Sequence, residues 1–224
     1  MRPETSSILD LRLYAIVDPE QSDDCAALAR RVVVGGATLV QLRDKKSTTR
    51  EMIARAQEIK AALASSRVPL LVNDRVDVAL AAGANGVHLG QNDMEVEDAR
   101  RLLGAAAIIG LSVKTIPEAK AAPLQALDYA AVGGVFATSS KNNPGTPIGP
   151  AGLASLIQTL HARAPALPVC AIAGITAGNA AEIVATGADG IAVISALAKA
   201  SDPERAAREL RAIVDAKLSA RGRA

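Results

Sequence analysis

Aromatic side chains are almost missing from this sequence. Its 224 residues include one Phe, two Tyr and no Trp, although 50% of all residues are hydrophobic. The core must therefore be built from Ala, Val, Leu and Ile, which are small or branched. Such residues are typical of parallel strands that are buried on both faces. The shortage of large rings thus indicates a buried parallel sheet.

Cysteine and histidine are also scarce. Cys25 and Cys170 are too few for a disulfide framework, and no His/Cys spacing resembles a zinc site. We expect both thiols to be buried or incidental. His88 lies inside an apolar run and His161 lies near a polar helix end, so we expect structural or incidental roles and assign neither a catalytic one.

Blocks of one charge and long apolar runs are absent too. The net charge is +2 with acids and bases mixed along the chain, so there is no basic block of the kind that nucleic-acid-binding proteins use. No run approaches the length of a membrane span, and the N-terminal MRPETSSILD has no apolar signal-peptide core. We predict a cytoplasmic protein with no nucleic acid and no membrane partner. The sequence leaves its oligomeric state open.

Short runs of Val, Ile and Leu alternate with longer Ala-rich segments of helical period, which is the pattern of repeated βα units. Eight such runs occur: LYAIV, TLVQL, PLLVN, GVHLG, AIIGLS, YAAVG, PVCAIA and GIAVIS. No stretch between residues 10 and 215 resembles a linker. We therefore predict an α/β fold, a single-domain (βα)8 TIM barrel over residues 1–224 with flexible tails at 1–10 and 220–224. A doubly wound open sheet is the alternative.

Local signals mark the ends of several predicted helices. Thr115 and Glu118 have the spacing of a capping box, and Asp202 stands directly before Pro203, which suits a first helical turn. A weak repeat places a Gly-Ala pair before three strands, where glycine can end a helix in the left-handed conformation. The pairs are Gly36-Ala37, Gly83-Ala84 and Gly187-Ala188. One face of the last helix should pack on the sheet, through Ala207, Leu210, Ile213, Val214 and Leu218.

Polar side chains follow the second strand, at the end where barrel enzymes place their chemistry. Strand alternation sends Gln41, Arg43 and Lys45 to one side. Such a charged run could equally be a solvated loop. A glutamine in register with two cations nevertheless favours an anion site, because guanidinium and ammonium groups bind phosphate oxygens well.

Carboxylates follow the next two strands. The third strand ends in Asn73-Asp74 and the fourth leads to Asp93. Asp93 could simply cap the helix that follows it. Because neighbouring strands of a barrel end at the same mouth, Asp74 and Asp93 could instead share a hard cation such as Mg²⁺, which takes one or two protein carboxylates and leaves its other positions to water and phosphate.

The remaining strand ends offer hydroxyls and glycine. The fifth strand ends at Ser112, and the sixth leads into the long segment GGVFATSSKNNPGTPIGP, a candidate substrate-covering loop that contains Thr138, Ser140 and Lys141. After the seventh and eighth strands stand Gly174 and Ser195, where many barrels bind a phosphate through backbone N–H groups. Two anion sites therefore emerge, one metal-assisted at strands 2 to 4 and one at strands 7 and 8.

The order of these motifs resembles that of the thiamine-phosphate synthase family. The resemblance runs from about Leu13 to Leu197, and its carriers are YAIVD, QLRDK, VNDRVDVA, GVHLGQND, GLSV, VFATSSK, AIAGIT and GADGIAVISA. It implies a transferase of thiamine biosynthesis that uses two small-molecule substrates. One is 4-amino-2-methyl-5-(diphosphooxymethyl)pyrimidine and the other is 4-methyl-5-(2-phosphooxyethyl)thiazole. The implied products are thiamine phosphate and pyrophosphate.

The resemblance also implies a role for each matching residue. Asp74 and Asp93 would bind Mg²⁺. Arg43, Lys45, Ser112 and Lys141 would serve catalysis. The pyrimidine pyrophosphate would contact Gln41, Arg43, Lys45, Asn73, Ser112 and Lys141. The thiazole phosphate would contact Thr138, Ser140, Gly174, Ile194 and Ser195.

The chain departs from the family pattern at three places. Ser139-Ser140 stands where the family commonly has x-Thr, Ala173 stands where it has the first of two glycines, and Lys114 stands where relatives often have histidine. The related thiazole tautomerases are one alternative, but they use that histidine and tend to lack the aspartate pair. Other phosphate-binding barrel enzymes would need a general base at the mouth. A non-catalytic ligand-binding barrel would have no use for the metal and leaving-group residues.

Overall fold

Eight parallel strands close into a barrel in which each strand pairs with the next and the eighth pairs with the first. The computed structural model describes residues 9–138 and 146–222. The strands are β1 (Leu13–Val17), β2 (Leu39–Leu42), β3 (Leu70–Asn73), β4 (Gly86–Leu89), β5 (Ile108–Val113), β6 (Tyr129–Gly133), β7 (Val169–Ile172) and β8 (Gly190–Val193). The (βα)8 prediction is confirmed, and the doubly wound alternative is wrong because an open sheet has no pairing between its first and last strands.

Helices follow the strands around the outside of the barrel. In the described ranges they are α1 (Cys25–Val34), α2 (Thr49–Ala62), α3 (Val76–Ala82), α4 (Val96–Leu103), α5 (Ile116–Ala121), α6 (Gly149–Arg163), α7 (Ala180–Ala185), α8 (Ser195–Ala198) and α9 (Pro203–Ala220). A single 3₁₀ turn covers Leu124–Ala126. None of the helices in these ranges combines the length and apolar character needed to cross a bilayer. The single domain with flexible tails stays a prediction, and residues 1–8 and 223–224 lie outside the described ranges.

The predicted helix starts are confirmed. Thr115 caps α5 by accepting from the backbone N–H of Glu118, and Asp202 caps α9 directly before Pro203. The predicted capping box at α5 is incomplete, because the Glu118 carboxylate accepts the backbone N–H of Lys114 instead of that of Thr115. The glycines of the Gly-Ala repeat all have positive φ, as predicted for left-handed helix ends; the values are 107° at Gly36, 63° at Gly83 and 119° at Gly187. In α9 the buried residues are Ala207, Leu210, Val214 and Leu218, with Ile213 partly buried beside them.

The apolar interior has two parts. The larger one lies between the sheet and the helices, and the smaller one fills the barrel itself, with Leu11, Tyr14, Ile16, Leu39, Leu71, Tyr129, Ala131, Cys170, Ile172, Ala192 and Ile194. Both tyrosines of the chain lie in the barrel interior. Strand pairing aligns His88, Gly110 and Tyr129 in one row. A Cβ at Gly110 would lie 2.0 Å from Cζ of Tyr129, so the missing side chain is what lets the Tyr129 ring lie across β5.

Candidate active site at the barrel mouth

Arg43 stands immediately after β2 and is held by a buried carboxylate. Its Nη1 donates to Oδ2 of Asp18 at 2.5 Å, and its backbone N–H donates to the carbonyl of Val17. The side chain of Asp18 is 2% exposed and also accepts the backbone N–H of Glu20 through Oδ1. A buried ion pair of this kind fixes the direction of the guanidinium, and removing one partner leaves an uncompensated charge. Asp18 therefore orients Arg43 at the mouth.

The neighbouring residue Asp44 points the other way, as the alternation of the sequence predicts. It forms an ion pair with Arg55 of α2 and accepts the backbone N–H groups of Lys46 and Ser47. Burial alone would raise the pKa of Asp44, but the hydrogen bonds outweigh burial and the pKa is lowered. Asp44 thus folds the segment that follows β2, while Arg43 and Lys45 remain at the mouth.

Lys45, Asp74 and Asp93 form a charged cluster at the ends of β2, β3 and β4. Nζ of Lys45 pairs with Oδ2 of Asp74, whose backbone has a positive φ of 62° and donates its N–H to the carbonyl of His88. A positive φ is uncommon for a residue with a side chain and is found at functional sites. Burial raises the pKa of Asp74, the hydrogen bond from Lys45 lowers it, and Asp93 raises it again, with a raised pKa as the net result.

Asp93 does not cap the helix that follows it. The N-cap of α4 is Glu95, whereas Oδ2 of Asp93 accepts the backbone N–H of Gly90 at 2.7 Å. Asp93 also interacts with Asp74 and raises the pKa of that carboxyl. The sequence prediction that Asp74 and Asp93 meet is therefore consistent with the structure, and Asn73 stands half-buried beside them.

The donor set of this cluster fits a hard divalent cation. No group of three or more His, Cys, Asp and Glu side chains able to hold a metal occurs in the part of the chain that the structure describes. Two facing carboxylates disfavour each other's charge unless a cation lies between them. Burial is the main cause of the raised pKa of Asp74, and Asp93 adds to it. Mg²⁺ is bound through one or two protein carboxylates with substrate phosphates and water, so the pair suffices.

Directly below this cluster, a chain of hydrogen bonds crosses the barrel interior. Nε2 of Gln41 donates to the hydroxyl of Tyr14, which lies 2.9 Å from the hydroxyl of Tyr129. Nδ1 of His88 lies 2.8 Å from the hydroxyl of Tyr129, and Nε2 of His88 lies 2.9 Å from Oγ of Ser112. Gln41 and Ser112, both predicted to contact the pyrimidine substrate, are thus the two ends of one chain.

Across the mouth, Thr138, Gly174, Ile194 and Ser195 line one small cleft, and the assignment of a phosphate to it stays a prediction. Gly174 has a φ of 68°, and a Cβ there would lie 2.6 Å from Cβ of Phe136 and 2.7 Å from the carbonyl oxygen of Ala137. Ser195 is the first residue of the short helix α8. Ala173, which stands where the family has glycine, has a φ of 89°.

Two of the predicted site residues, Ser140 and Lys141, lie outside the described residues. Lys114 is exposed after β5, and its backbone N–H donates to Glu118. The sequence reasoning gave no role to Asp18, Tyr14 or Tyr129. Asp18 is the last residue of the motif YAIVD. An aspartate after a strand looks the same in sequence whether it caps a turn or orients an arginine.

Comparisons with known proteins agree with the order of motifs. Residues 13–197 match the sequence profile of the family described as thiamine monophosphate synthase. A thiamine-phosphate synthase of Agrobacterium fabrum is 47% identical, with 95% of this chain and 98% of the relative covered. One of Chloroflexus aurantiacus is 46% identical over 92% of this chain and 94% of the relative.

Solved structures show the same likeness. Thiamine phosphate pyrophosphorylase from Pyrococcus furiosus superposes with a TM-score of 0.82 at 38% identity, covering 94% of this chain and 98% of that one. A 3-hexulose-6-phosphate synthase, at 16% identity and a TM-score of 0.63, shares the fold alone. The profile match and the curated relatives cover nearly the whole chain, and the chain therefore belongs to the thiamine monophosphate synthase family.

Proposed function

We propose that this chain is a transferase that couples the aminopyrimidine pyrophosphate to the thiazole phosphate, giving thiamine phosphate and pyrophosphate. The observation that carries the proposal is the cluster of Arg43, Lys45, Asp74 and Asp93 at the ends of adjacent strands. Its charges suit a departing pyrophosphate. Family membership and curated thiamine-phosphate synthases at 46–47% identity support it.

The reaction needs positioning and charge stabilisation rather than a protein nucleophile. The bond between the pyrimidine methylene and the pyrophosphate oxygen breaks, and the 4-amino group delocalises the positive charge left on the methylene carbon. The thiazole nitrogen then donates its electron pair to that carbon, forming the new C–N bond, while both bonding electrons of the broken bond leave with pyrophosphate. Electrostatic stabilisation and in-line placement account for such a step.

Each charged residue then has a distinct task in our proposal. Arg43, which Asp18 holds in place, and Lys45 bind pyrophosphate oxygens and stabilise the charge that develops as the bond breaks. Asn73 and Ser112 hold the pyrimidine substrate beside them. Lys141, by its match to the family motif, completes the leaving-group site from the segment after β6.

Mg²⁺ belongs to the proposed site, with Asp74 and Asp93 as its protein ligands. When bound, the ion would neutralise charge on the pyrophosphate and favour its departure. Without a cation, the two carboxylates repel the substrate that Arg43 and Lys45 attract. Lys45 therefore has a second task, because its pairing with Asp74 offsets part of that repulsion.

The cleft at β7 and β8 is proposed to hold the thiazole phosphate. Gly174 lets the backbone approach an anion closely, and Ser195 offers a hydroxyl and a backbone N–H at the start of α8. Thr138 adds a second hydroxyl from the segment after β6, and Ser140 is assigned here by its match to the family motif. The side chain of Ile194 lies in the barrel interior beneath the cleft.

The proposal is tested by incubating the purified chain with both substrates and Mg²⁺ and measuring pyrophosphate and thiamine phosphate. We expect both products in equal amounts, and none when either substrate or the metal is withheld. Thiazole tautomerase activity, assayed in parallel, should be absent, because Lys114 replaces the histidine that those relatives use. No product above background would overturn the synthase assignment. A cytoplasmic site of action stays a prediction from the sequence.

A further inference from the structure

The chain Gln41–Tyr14–Tyr129–His88–Ser112 is buried and built from neutral groups. Tyr14 is 1% exposed and Tyr129 is 0% exposed. Burial raises the pKa of both phenols, so each hydroxyl keeps its single proton throughout the physiological range. A phenol can donate only that one proton, whatever it accepts. The direction of each hydrogen bond in the chain therefore constrains the next.

The amide of Gln41 sets the direction. Because its Nε2 donates to Tyr14, the proton of Tyr14 is free to go to Tyr129, and the proton of Tyr129 goes to Nδ1 of His88. His88 then carries its own proton on Nε2 and donates it to Oγ of Ser112. Every proton in the chain has an acceptor, and the proton of Ser112 remains for a ligand.

With the amide of Gln41 donating to Tyr14, other arrangements leave a buried donor without an acceptor. If His88 were protonated on both nitrogens, Tyr129 would accept from Nδ1 and donate to Tyr14. Tyr14 would then accept from Tyr129 and from Gln41, and its own proton would have no acceptor within the chain. A buried hydroxyl that donates to no acceptor costs more free energy than one hydrogen bond contributes. The neutral imidazole with its proton on Nε2 is therefore the state in which every hydrogen bond from Gln41 to Ser112 is made.

The positions of the rings keep the chain in this geometry. The Tyr129 ring crosses Gly110 and stacks on the imidazole of His88, with centroids 5.6 Å apart and an interplanar angle of 26°. Tyr14 meets Tyr129 edge to face at 5.8 Å. Because close-packed rings cannot turn without displacing their neighbours, the hydroxyls stay aimed along the chain.

The two ends of the chain then have opposite hydrogen-bonding character. Gln41 donates one N–H of Nε2 to Tyr14, which turns its carbonyl Oε1 away from Tyr14 as an acceptor, and the second N–H of Nε2 remains a donor. Ser112, which accepts from His88, keeps its O–H as a donor. A 4-aminopyrimidine ring carries the complementary pair, an amino donor and ring-nitrogen acceptors. A 4-oxopyrimidine has the reversed pattern, with a carbonyl acceptor and a ring N–H donor.

We propose that Tyr14, Tyr129 and His88 are positioning residues that couple the orientation of the Gln41 amide to that of the Ser112 hydroxyl. With Gln41 presenting its carbonyl as an acceptor and Ser112 its hydroxyl as a donor, the site selects an aminopyrimidine over an oxopyrimidine. The inference rests on the proposed function, because it takes Gln41 and Ser112 as the residues that meet the pyrimidine ring. None of the three positioning residues needs to touch the substrate. They act through the two ends of the chain.

The first test compares Tyr129→Phe and Tyr14→Phe with the wild type. Each variant keeps the ring and interrupts the chain. Two ligands are used, 4-amino-2-methyl-5-(diphosphooxymethyl)pyrimidine and its 4-oxo counterpart, and kcat/KM and the dissociation constant by calorimetry are measured for each. We expect the wild type to prefer the amino ring at least about 100-fold, because a site that hydrogen-bonds a ligand rejects the mismatched analogue strongly. Each variant should lower that preference about tenfold.

Cys170→Ala is the matched control. Cys170 lies in the same interior cluster and is fully buried, but its side chain takes no part in the chain of hydrogen bonds. It should keep the wild-type preference for the amino ring even where the melting temperature falls. The KM for the thiazole phosphate should stay within twofold of the wild type in all three variants. An unchanged amino-to-oxo ratio in Tyr129→Phe and Tyr14→Phe would overturn the inference.

A second test measures coupling between Tyr129 and Ser112. If Tyr129 acts through His88 on Ser112 as well as through Tyr14 on Gln41, then Tyr129→Phe should lower kcat/KM by a smaller factor in a Ser112→Ala background than in the wild type. Only the Gln41 end of the chain is left for it to act on in that background. A merely structural tyrosine would have the same effect in both backgrounds, and that result also overturns the inference. A wild-type chain that neither turns over nor binds the aminopyrimidine would instead overturn the proposed function, and this inference with it.

Discussion

The two sides of the barrel mouth are built in different ways. At β2 to β4 the site consists of charged side chains, Arg43, Lys45, Asp74 and Asp93, each held by a hydrogen bond or an ion pair. At β7 and β8 the site consists mainly of backbone, and its shape comes from positive φ angles at Ala173 and Gly174. One side is therefore defined by charge and the other by conformation.

The difference matches what each side must do in the proposed reaction. A leaving pyrophosphate gains charge as its bond breaks, so it needs charges that interact more strongly with the transition state than with the substrate. The phosphate of the thiazole substrate keeps its charge throughout and needs only to be held. Backbone N–H groups can hold that phosphate without the desolvation of a second charged group. Substitutions at β2 to β4 should therefore lower the reaction rate, whereas substitutions at β7 and β8 should lower the stability of the fold and the affinity for the thiazole substrate.

The largest effect should follow from removing a carboxylate of the charged side. We expect Asp74→Ala and Asp93→Ala each to lower kcat by about 100-fold or more, since the lost ion stabilisation is worth several kcal/mol. The free energy of unfolding should change by only about 1 kcal/mol, the scale of one hydrogen bond. Product formation and urea unfolding measure the two quantities. Asp98→Ala, an exposed carboxylate on α4, is the control, and near-wild-type activity in both site variants would refute the metal-site assignment.

On the conformational side, Gly174→Ala should act chiefly through the fold. The left-handed φ of 68° and the 2.6 Å approach to Phe136 predict a loss of about 2–5 kcal/mol in the free energy of unfolding, from strain and overpacking together. In the folded fraction, the KM for the thiazole phosphate should rise while the KM for the pyrimidine stays unchanged. Gly149→Ala is matched to it, because Gly149 has a φ of 62° but no atom within 4 Å of an added Cβ. Equal losses at the two glycines would show that crowding at Gly174 is unimportant.

A smaller effect concerns the charge of Asp74 in the absence of divalent metal. Because the pKa of Asp74 is raised in the folded state, folding disfavours its ionised form, and its contribution at neutral pH is unfavourable. That contribution disappears as the pH falls through the folded-state pKa toward the ordinary value. Asp74→Asn should therefore be more stable than the wild type at pH 7, and the difference should shrink to nothing on acidification. Urea unfolding between pH 7 and pH 3 measures it, and a variant that is less stable at pH 7 would contradict the sign.

The smallest effect should come from Ala173→Gly, which restores the glycine that the family commonly has. Alanine at a φ of 89° is strained, while glycine costs more backbone entropy on folding. The two terms oppose each other, so we expect a gain of less than about 1 kcal/mol in the free energy of unfolding. Activity should stay within twofold. A loss of stability on this substitution would show that the entropy cost of glycine exceeds the strain relieved at position 173, contrary to this prediction.

The sequence was sufficient for the barrel and for the charged side of the mouth. Eight apolar runs with helical segments between them define βα units, and adjacent strand ends had to bring Asp74 and Asp93 together. It was not sufficient for partners that meet across the barrel. Tyr14 and Tyr129 lie 115 residues apart, and nothing in local periodicity says which inward-facing side chains touch. Asp18 was missed for a different reason: it follows β1 beside Arg43, which follows β2, but an aspartate after a strand looks the same in sequence whether it caps a turn or pairs with an arginine.

Gly110 has a consequence for how this barrel can change over evolutionary time. An added methyl group at position 110 collides with the Tyr129 ring, and a shorter residue at position 129 would leave a hole above Gly110. Whichever of the two substitutions occurs first is destabilising. The two positions are therefore epistatic and should vary together or not at all. A lineage that exchanged them in either order would pass through an intermediate with a distorted interior beneath the mouth. The glycine at position 110 thus restricts which substitutions the neighbouring strands β5 and β6 can accept beneath the barrel mouth.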